Sequence, residues 1–478
     1  MPLQLTTDTH PVPTPPARGI RRFLPAHPGY YEGILVQGAR QFASMAMSTA
    51  LAIALGGGHF VVAIIAAIPF VSRMSHIAVP TLVLRYGSWK VARASAWLER
   101  FGFLAAAITA IVRPDAWTIP LYLGGIGCAY LGQAVYDAAM SAMHSEVSVP
   151  GSFGSYISEK TRWASIAGLT LGVSGAYAVD SIEQFGVPAH LTRAIAIVVG
   201  VSIHCLLARP FAQMSDIARR RSKRPSRQMT VIPGRTMLLP RTREDWAVIQ
   251  LALAWGFAYG FGARQSEAMA MRTLGISVGT ITLLNAALVG AGILGAKTWG
   301  RMGDRFGGRG LMALAITAFA LDPLWSLTAM YVHPIAFLPA YIIWGVFLTG
   351  WNVSQSLALV RSTGHAATRI RLMSMYNVAY GLAAGVAPLL GGTLLTWADR
   401  EFSQRTAFAM LFVASMLLRL STLPVLLRLP AVENASVRHI SAVYLRLVKR
   451  QAYVRTNQVG QAFRSPRRLF ARIARQSV

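Results

Sequence analysis

Apolar stretches of about 20 residues alternate with short polar segments along most of the chain. A helix of about that length crosses the hydrocarbon core of a bilayer, which is about 30 Å thick. The pattern therefore predicts an all-α integral membrane protein with twelve transmembrane helices in two six-helix bundles. These helices are called spans 1 to 12, and their predicted centres are Ser48, Ala67, Ala105, Gly125, Leu171, Ile197, Trp255, Ala287, Thr317, Trp344, Ala384 and Val413.

Two polar tails and one long polar linker flank and separate the bundles. The linker is expected to lie outside the membrane because it carries a dense run of basic residues between Arg219 and Arg227. The predicted segments are a cytoplasmic N-terminal tail (1–33), a first bundle (34–208), a basic cytoplasmic linker (209–244), a second bundle (245–430) and a basic amphipathic cytoplasmic tail (431–478).

The composition supports a membrane protein and argues against nucleic-acid binding. Charged residues make up 13% of the chain, whereas soluble domains carry about 25%. The formal net charge is +28, but the basic residues lie in short loops and in the tails, as is typical of cytoplasmic loops and of contact with anionic lipid. We therefore expect a lipid bilayer as partner and no nucleic acid.

Loop charge predicts the orientation in the membrane. Lys and Arg near the ends of spans favour the cytoplasmic side, and they are concentrated in the even-numbered loops, so both termini are expected to be cytoplasmic in a cell (inner) membrane. The C-terminal tail spaces apolar residues among arginines, which indicates a helix that binds anionic lipid, although a disordered basic tail is the alternative. The basic residues of the even loops are Arg85, Lys90, Arg93, Lys160, Arg162, Arg301, Arg305, Arg309, Arg361, Arg369 and Arg371.

A charged motif stands between spans 8 and 9, and a degenerate copy stands between spans 2 and 3. The first reads G-R-M-G-D-R-F-G-G-R from Gly300 to Arg309, and the second retains Arg85 and Gly87 but has Leu84 in place of the aspartate. The first motif resembles the loop motif of the major facilitator superfamily, G-x-x-x-D-R-x-G-R-[KR]. The motif residues on which the resemblance rests are Gly300, Asp304, Arg305, Gly307 and Arg309.

This resemblance implies a secondary transporter built from two related halves, with a small-molecule substrate bound between them near the membrane midplane. In that family the motif latches the cytoplasmic side, so Asp304 is expected to lie against the N-terminus of span 11, where a helix dipole favours negative charge. The missing aspartate at Leu84 predicts an asymmetric latch. The oligomeric state stays open, and a monomer is expected.

Charged residues within the spans are candidate sites for substrate or a coupling ion, because burying a charge in the membrane is costly. Arg73 and Glu99 are each about 18 Å from the turn between spans 2 and 3 at 1.5 Å per residue, so an ion pair between them is predicted, either functional or purely structural. Arg40, with Arg73 and Arg100, could form a cationic cavity for an anionic group. Snorkelling of Arg40 to the interface is the alternative.

Two further candidates lie in the second bundle. Asp322 in span 9 is expected to face another helix or to carry a proton. Trp351 and Asn352 in span 10 offer aromatic surface and an amide to an amphipathic ligand, with ordinary helix packing as the alternative. Gly290 to Thr298 nearly spells a phosphate-binding loop, but it lies in an apolar span without a preceding strand. No nucleotide or other cofactor is therefore expected.

The function predicted from these features is secondary active transport of a small organic solute by alternating access. Coupling to protons and an anionic or amphipathic substrate are the finer expectations. An integral-membrane lipid-modifying enzyme is one alternative, although no nucleophile and base are recognisable in the sequence. A non-transporting scaffold with the same architecture is the other alternative.

Overall fold

The computed structural model of the protein describes residues 28–112, 117–147, 153–222, 240, 242–263, 265–361 and 366–429. Every predicted span centre lies in a helix. In the first half, spans 1 to 6 are formed by α1 (Pro28–Phe42) and α2 (Met45–Ala54), α3 (His59–Ser72) and α4 (Val79–Tyr86), α5 (Ser88–Ile111), α6 (Thr118–Val147), α7 (Phe153–Gln184), and α8 (Ala189–Cys205) with α9 (Ala208–Ser222).

The second half repeats this arrangement. Its helices are α10 (Arg243–Phe261) and α11 (Gln265–Thr273) for span 7, α12 (Val278–Tyr331) for spans 8 and 9, α13 (Phe337–Arg361) for span 10, α14 (Ala366–Glu401) for span 11, and α15 (Gln404–Leu420) with α16 (Thr422–Leu426) for span 12. Within the described residues, nine helical segments are long and apolar enough to cross a membrane. The predicted all-α membrane fold is confirmed, and the count of twelve spans is consistent with it.

Helix α12 contains two spans, although the sequence predicts a loop between them. The backbone of Gly345 in α13 lies against the carbonyl of Leu288, and the adjacent Trp344 lines a cavity with Asp322. In a straight helix Leu288 and Asp322 would be about 51 Å apart, farther than α13 is long, so the chain reverses direction within α12. The reversal falls between the apolar segments Val278–Ala296 and Gly308–Tyr331. The segment predicted as a loop between spans 8 and 9 therefore has helical backbone on both sides of the point where the chain reverses.

Helices α5 and α6 form a closely packed antiparallel pair. The Cα positions of Gly102, Gly125 and Gly132 lie so near the facing backbone that an added Cβ would overlap it. Small residues allow helices in a membrane to approach in this way. Gly132 lies directly against the backbone of Glu99, so this contact fixes the position of a candidate site residue.

Span 1 is interrupted between α1 and α2. The first amides of α2 have no partner within the helix, and the hydroxyl of Ser44 caps this end by accepting a hydrogen bond from the amide of Met47 at 3.3 Å. Broken spans in transporters occur where backbone lines a cavity. The interruption therefore marks the part of span 1 that faces polar space.

The two halves make polar contacts at the end that carries the loops between spans 1 and 2 and between spans 7 and 8. Arg272 donates to the carbonyl of Gly57 and contacts His59 Nδ1 at 3.1 Å. His59 Nε2 lies 3.4 Å from Asp399, and the carboxylate of Asp180 accepts from the amide of Gly279 at 2.8 Å. This set of contacts joins the two halves at this end, and it is called the outer latch because the predicted orientation places it on the outer side.

The segment boundaries differ from the predicted ones at three places. Helix α1 begins at Pro28, inside the predicted N-terminal tail, and α9 continues span 6 to Ser222, inside the predicted linker. Helix α7 begins at Phe153, so Lys160 lies within a helix and not in a loop. The predicted amphipathic C-terminal tail lies outside the described residues, as does most of the N-terminal tail.

Candidate functional site

A buried ion-pair cluster joins spans 1, 3 and 4. The Arg40 guanidinium binds both carboxylate oxygens of Glu99, at 2.8 and 3.0 Å, and a carboxylate oxygen of Asp137 at 2.8 Å. The Glu99 side chain is fully buried, Arg40 is 13% exposed and Asp137 is 50% exposed. Asp137 therefore connects a buried pair to solvent-accessible space.

The predicted pair between Arg73 and Glu99 is wrong, because both oxygens of Glu99 bind Arg40. Arg73 is exposed and lies beside Gly381 of α14. The α-helix of span 2 ends at Ser72 and is followed by a 3-10 segment, Arg73–Ile77, which turns about 120° per residue instead of 100°. The change in helical twist helps to turn Arg73 toward Gly381 in the second half of the molecule.

A second polar cluster lies nearer the start of span 1. Glu32 is 1% exposed and binds Lys160 at 2.8 Å. His144 Nε2 lies 2.5 Å from the Lys160 ammonium and 3.3 Å from a carboxylate oxygen of Glu32, and His144 Nδ1 is hydrogen-bonded to the hydroxyl of Tyr156 at 2.8 Å. His144 therefore joins Glu32, Lys160 and Tyr156 in one cluster.

Tyr136 connects the two clusters. Its ring lies 5.3 Å beneath the Arg40 guanidinium, and its hydroxyl donates to Glu32 at 2.6 Å. The connected network contains three carboxylates, those of Glu32, Glu99 and Asp137, and two permanent cations, Arg40 and Lys160. The ion-paired groups thus contain one carboxylate more than permanent cations, and the Arg100 guanidinium lies beside them, near Glu99 and Tyr136.

The cationic cavity predicted from Arg40, Arg73 and Arg100 is not formed. Arg40 is neutralised by its carboxylate partners, and Arg100 is 6% exposed and donates to the carbonyl of His204 at 2.6 Å. Only Arg73 of the three is exposed. The electrostatic argument for an anionic substrate therefore loses two of its three arginines.

In the second half, Asp322 pairs with a residue that the sequence reasoning missed. Arg419 of span 12 binds the Asp322 carboxylate at 3.0 Å and the carbonyl of Phe319 at 2.6 Å. The expectation that Asp322 faces another helix is consistent with this pairing. One acid is matched by one base here, so this pair has no surplus charge.

The two candidate residues of span 10, Trp351 and Asn352, lie in different environments. Trp351 is 4% exposed and packs against Trp255, with ring centroids 4.5 Å apart. It belongs to the hydrophobic core of the second half, which agrees with the packing alternative. Asn352, the next residue, is exposed. Consecutive residues on a helix point about 100° apart, so one faces inward while the other does not.

The loop motifs are described in part. Gly87 has a φ of 87°, a left-handed conformation that favours glycine, and it makes the turn between α4 and α5. Arg85 is exposed and stacks on Tyr86. Arg309 donates to the carbonyl of Leu429 at 2.9 Å, at the end of span 12. The side chains of Asp304 and Arg305 lie outside the described part of the chain, so the latch at span 11 stays a prediction, and so do the gating roles of Gly300 and Gly307.

A cavity of about 210 Å³ lies between the halves. Spans 1 and 5 form one wall and span 8 forms the other. Among the described residues that line it are polar side chains but no charged ones. Its polar lining is Gln37, Gln41, Ser44, Ser165, Thr282 and Asn285. Within the described residues, no group of three or more His, Cys, Asp or Glu side chains could hold a metal ion.

Comparison with known proteins assigns the fold. Residues 265–473 match the family model of the Major Facilitator Superfamily. The nucleoside transporter NupG is similar with a TM-score of 0.62 at 11% identity, covering 83% of this chain and 98% of NupG. An inward-facing bacterial homologue of the iron transporter ferroportin has a TM-score of 0.62 at 14% identity, covering 84% and 97%. The inward-open xylose transporter XylE from E. coli has a TM-score of 0.58 at 12% identity, covering 87% and 99%. No curated protein sequence matches the chain.

The protein has the fold that these solved membrane transporters share. Its second half matches the model of the Major Facilitator Superfamily, the family that the sequence resembles. The lipid-modifying enzyme and the non-transporting scaffold stay alternatives to transport.

Sequence reasoning missed several residues of the site. Asp137 is an acid in the interior of span 4, and intramembrane charge was the signal that could have found it. Glu32 falls in the predicted tail and Lys160 in a predicted loop, because the hydropathy pattern places the start of each span later in the chain. The same intramembrane signal applies to Arg419, which stands inside span 12.

Proposed function

We propose that this transporter moves a small organic solute by alternating access and couples the movement to protons at the cluster of Arg40, Glu99 and Asp137. The observation that supports coupling is the surplus carboxylate of the connected network. Two carboxylates share one guanidinium, and only Asp137 is accessible enough to exchange a proton readily. When Asp137 takes up a proton, Arg40 loses one of its two ion pairs and keeps the one with Glu99.

The conformation supports alternating access. The outer latch closes one end, while the cavity with polar lining lies between the halves. In the opposite state the contacts of Arg272 and Asp180 must break, because they join the two halves. Carriers of this kind expose a central site to each side in turn.

Proton coupling is tested in liposomes that contain the purified protein. Uptake of a transported solute should follow an imposed pH gradient in the wild type, and Asp137→Asn should abolish this dependence while exchange of labelled for unlabelled solute continues. Asp216→Asn is the matched control, because Asp216 is an exposed acid on α9 outside the network. If Asp137→Asn keeps full gradient-driven uptake, the cluster is structural. If the protein exchanges no solute at all, the non-transporting scaffold is favoured.

We also propose that both termini and the linker face the cytoplasm of a cell membrane. The support is the basic charge of the even-numbered loops. A cysteine placed at Ser222, at the end of α9, should be labelled by an impermeant reagent only after the cells are opened. Labelling in intact cells would reverse the orientation.

A further inference from the structure

The wall chemistry of the cavity between the halves identifies a class of ligand. We propose that this cavity binds a small uncharged solute rich in hydroxyl or amide groups, held between carboxamides of Gln37 and Gln41 in the first half and Asn285 in the second. The inference rests on the proposed transport function and names the substrate class for it.

The carboxamides of Gln37 and Gln41 are directed to the cavity by the packing of α1 on α7. The two residues are four apart on α1 and so share one face. They lie over Gly168 and Gly172 of α7, where a Cβ would crowd them. Within the described residues, neither side chain makes a hydrogen bond to the protein. Both amides therefore have donors and acceptors free for a ligand or for water.

The opposite wall contributes a third carboxamide. Asn285 Nδ2 donates to the carbonyl of Ile281 at 3.2 Å, which fixes the orientation of the group and leaves its oxygen to accept from a ligand. Thr282 lines the same wall, but its hydroxyl donates to the carbonyl of Val278. A ligand that spans the cavity would thus contact both halves, as a substrate that moves with alternating access must.

The interruption of span 1 adds backbone groups to the same wall. Ser44, Met45 and Ala46 line the cavity, and they form the start of α2, where the first amides lack partners within the helix. Amides and carboxamides can bind hydroxyl, carbonyl and ring-amide groups. They supply no counter-charge, and a charged solute loses its hydration without compensation.

The size of the cavity restricts the solute further. At the volume that water occupies in the liquid, about 30 Å³ per molecule, a cavity of about 210 Å³ accommodates about seven waters. A molecule of the size of a pentose or a nucleobase is smaller than this volume and fits within it. The probes used to test the inference are therefore D-xylose and uracil as neutral ligands, with succinate as an anion and choline as a cation.

The test is the shift in thermal unfolding of the purified full-length protein in detergent. D-xylose or uracil should raise Tm in a saturable way, and succinate and choline should not. Gln41→Leu and Asn285→Leu should each weaken the apparent affinity about tenfold, since each removes a hydrogen bond to the ligand. Gln213→Leu is the matched control, because Gln213 is exposed on α9 and does not line the cavity.

Three results would overturn the inference. They are a larger shift with succinate or choline than with the neutral probes, no shift with either neutral probe, or equal affinity in the Gln41→Leu, Asn285→Leu and Gln213→Leu proteins. Proton-driven uptake is measured separately. If a charged solute is taken up with protons, the proposed function stands and this inference fails. If the neutral probes bind through these residues but no pH gradient drives uptake, the inference stands and proton coupling fails.

Discussion

The pairing of Arg40 with Glu99 can be tested by a double-mutant cycle. Arg40→Met leaves Glu99, which is fully buried, without its counter-ion, and breaking a buried pair in this way costs about 3 to 5 kcal/mol. Glu99→Leu should cost less, about 1.5 to 3 kcal/mol for the lost charged hydrogen bonds, because Arg40 keeps Asp137. The double change leaves only Asp137, which is half-exposed and can be hydrated.

The double mutant should therefore be more stable than the sum of the two single changes predicts, by at least about 2 kcal/mol. The free energy of unfolding is measured in detergent by denaturant titration, followed by tryptophan fluorescence. Arg73→Met provides the matched comparison, since Arg73 is exposed and lies at similar depth. Arg73→Met with Glu99→Leu should be additive within about 0.5 kcal/mol.

Two outcomes would refute this account. Strict additivity for Arg40 and Glu99 would mean that the folded protein does not form the pair. Strong coupling of Arg73 to Glu99 would restore the pairing that helix depth alone suggested. Exchange of labelled solute by a stable double mutant decides the role of the pair, because retained activity makes it structural and lost activity places it in transport.

Three other predictions concern the two ends of the molecule and the tail. Arg272→Gln should weaken the outer latch, and a loss of about 1.4 kcal/mol shifts the ratio of open to closed conformers tenfold. Spin labels at Ser181 and Ser277 should then show a larger population at the long distance between them, and an unchanged distribution of distances contradicts the latch. Asp304→Asn should lower transport with little loss of folded protein, whereas Leu84→Asn should do much less, and equal effects would disprove the asymmetry. The isolated C-terminal tail should bind anionic vesicles at low salt and dissociate from them at about 1 M salt, where the screening length is about 3 Å. Binding that does not depend on salt would show that electrostatic attraction does not hold the tail on the vesicles.

The architecture of the protein could be predicted from the sequence because it depends on distances along the chain. The membrane requires apolar helices of a set length, so twelve predicted centres fall in helices. The distance of a residue from the end of its helix can be estimated in the same way, since each helical residue rises by 1.5 Å. The likeness of Arg85 and Gly87 to the later motif indicated the repeat, and the positive φ of Gly87 gives a physical reason for that glycine.

The ends of the helices were less predictable, because a hydropathy profile places every charged residue outside the membrane. Glu32 and Lys160 satisfy each other at 2.8 Å, so their helices begin earlier than the apolar pattern indicates. A hydrogen-bonded partner of opposite charge offsets much of the free-energy cost of burying a charged side chain inside the bundle. Only the partner, which is distant in sequence, reveals that the penalty has been removed.

The partners of the intramembrane charges were decided by tertiary structure alone. A depth estimated from the sequence does not say which helix lies opposite Glu99. The close approach of α5 to α6 at Gly132 places the helices of Glu99 and Asp137 side by side, and Arg40 from span 1 binds both acids. Rise along a helix is a local property of the backbone, whereas the direction of a side chain around the bundle depends on how all the neighbouring helices pack.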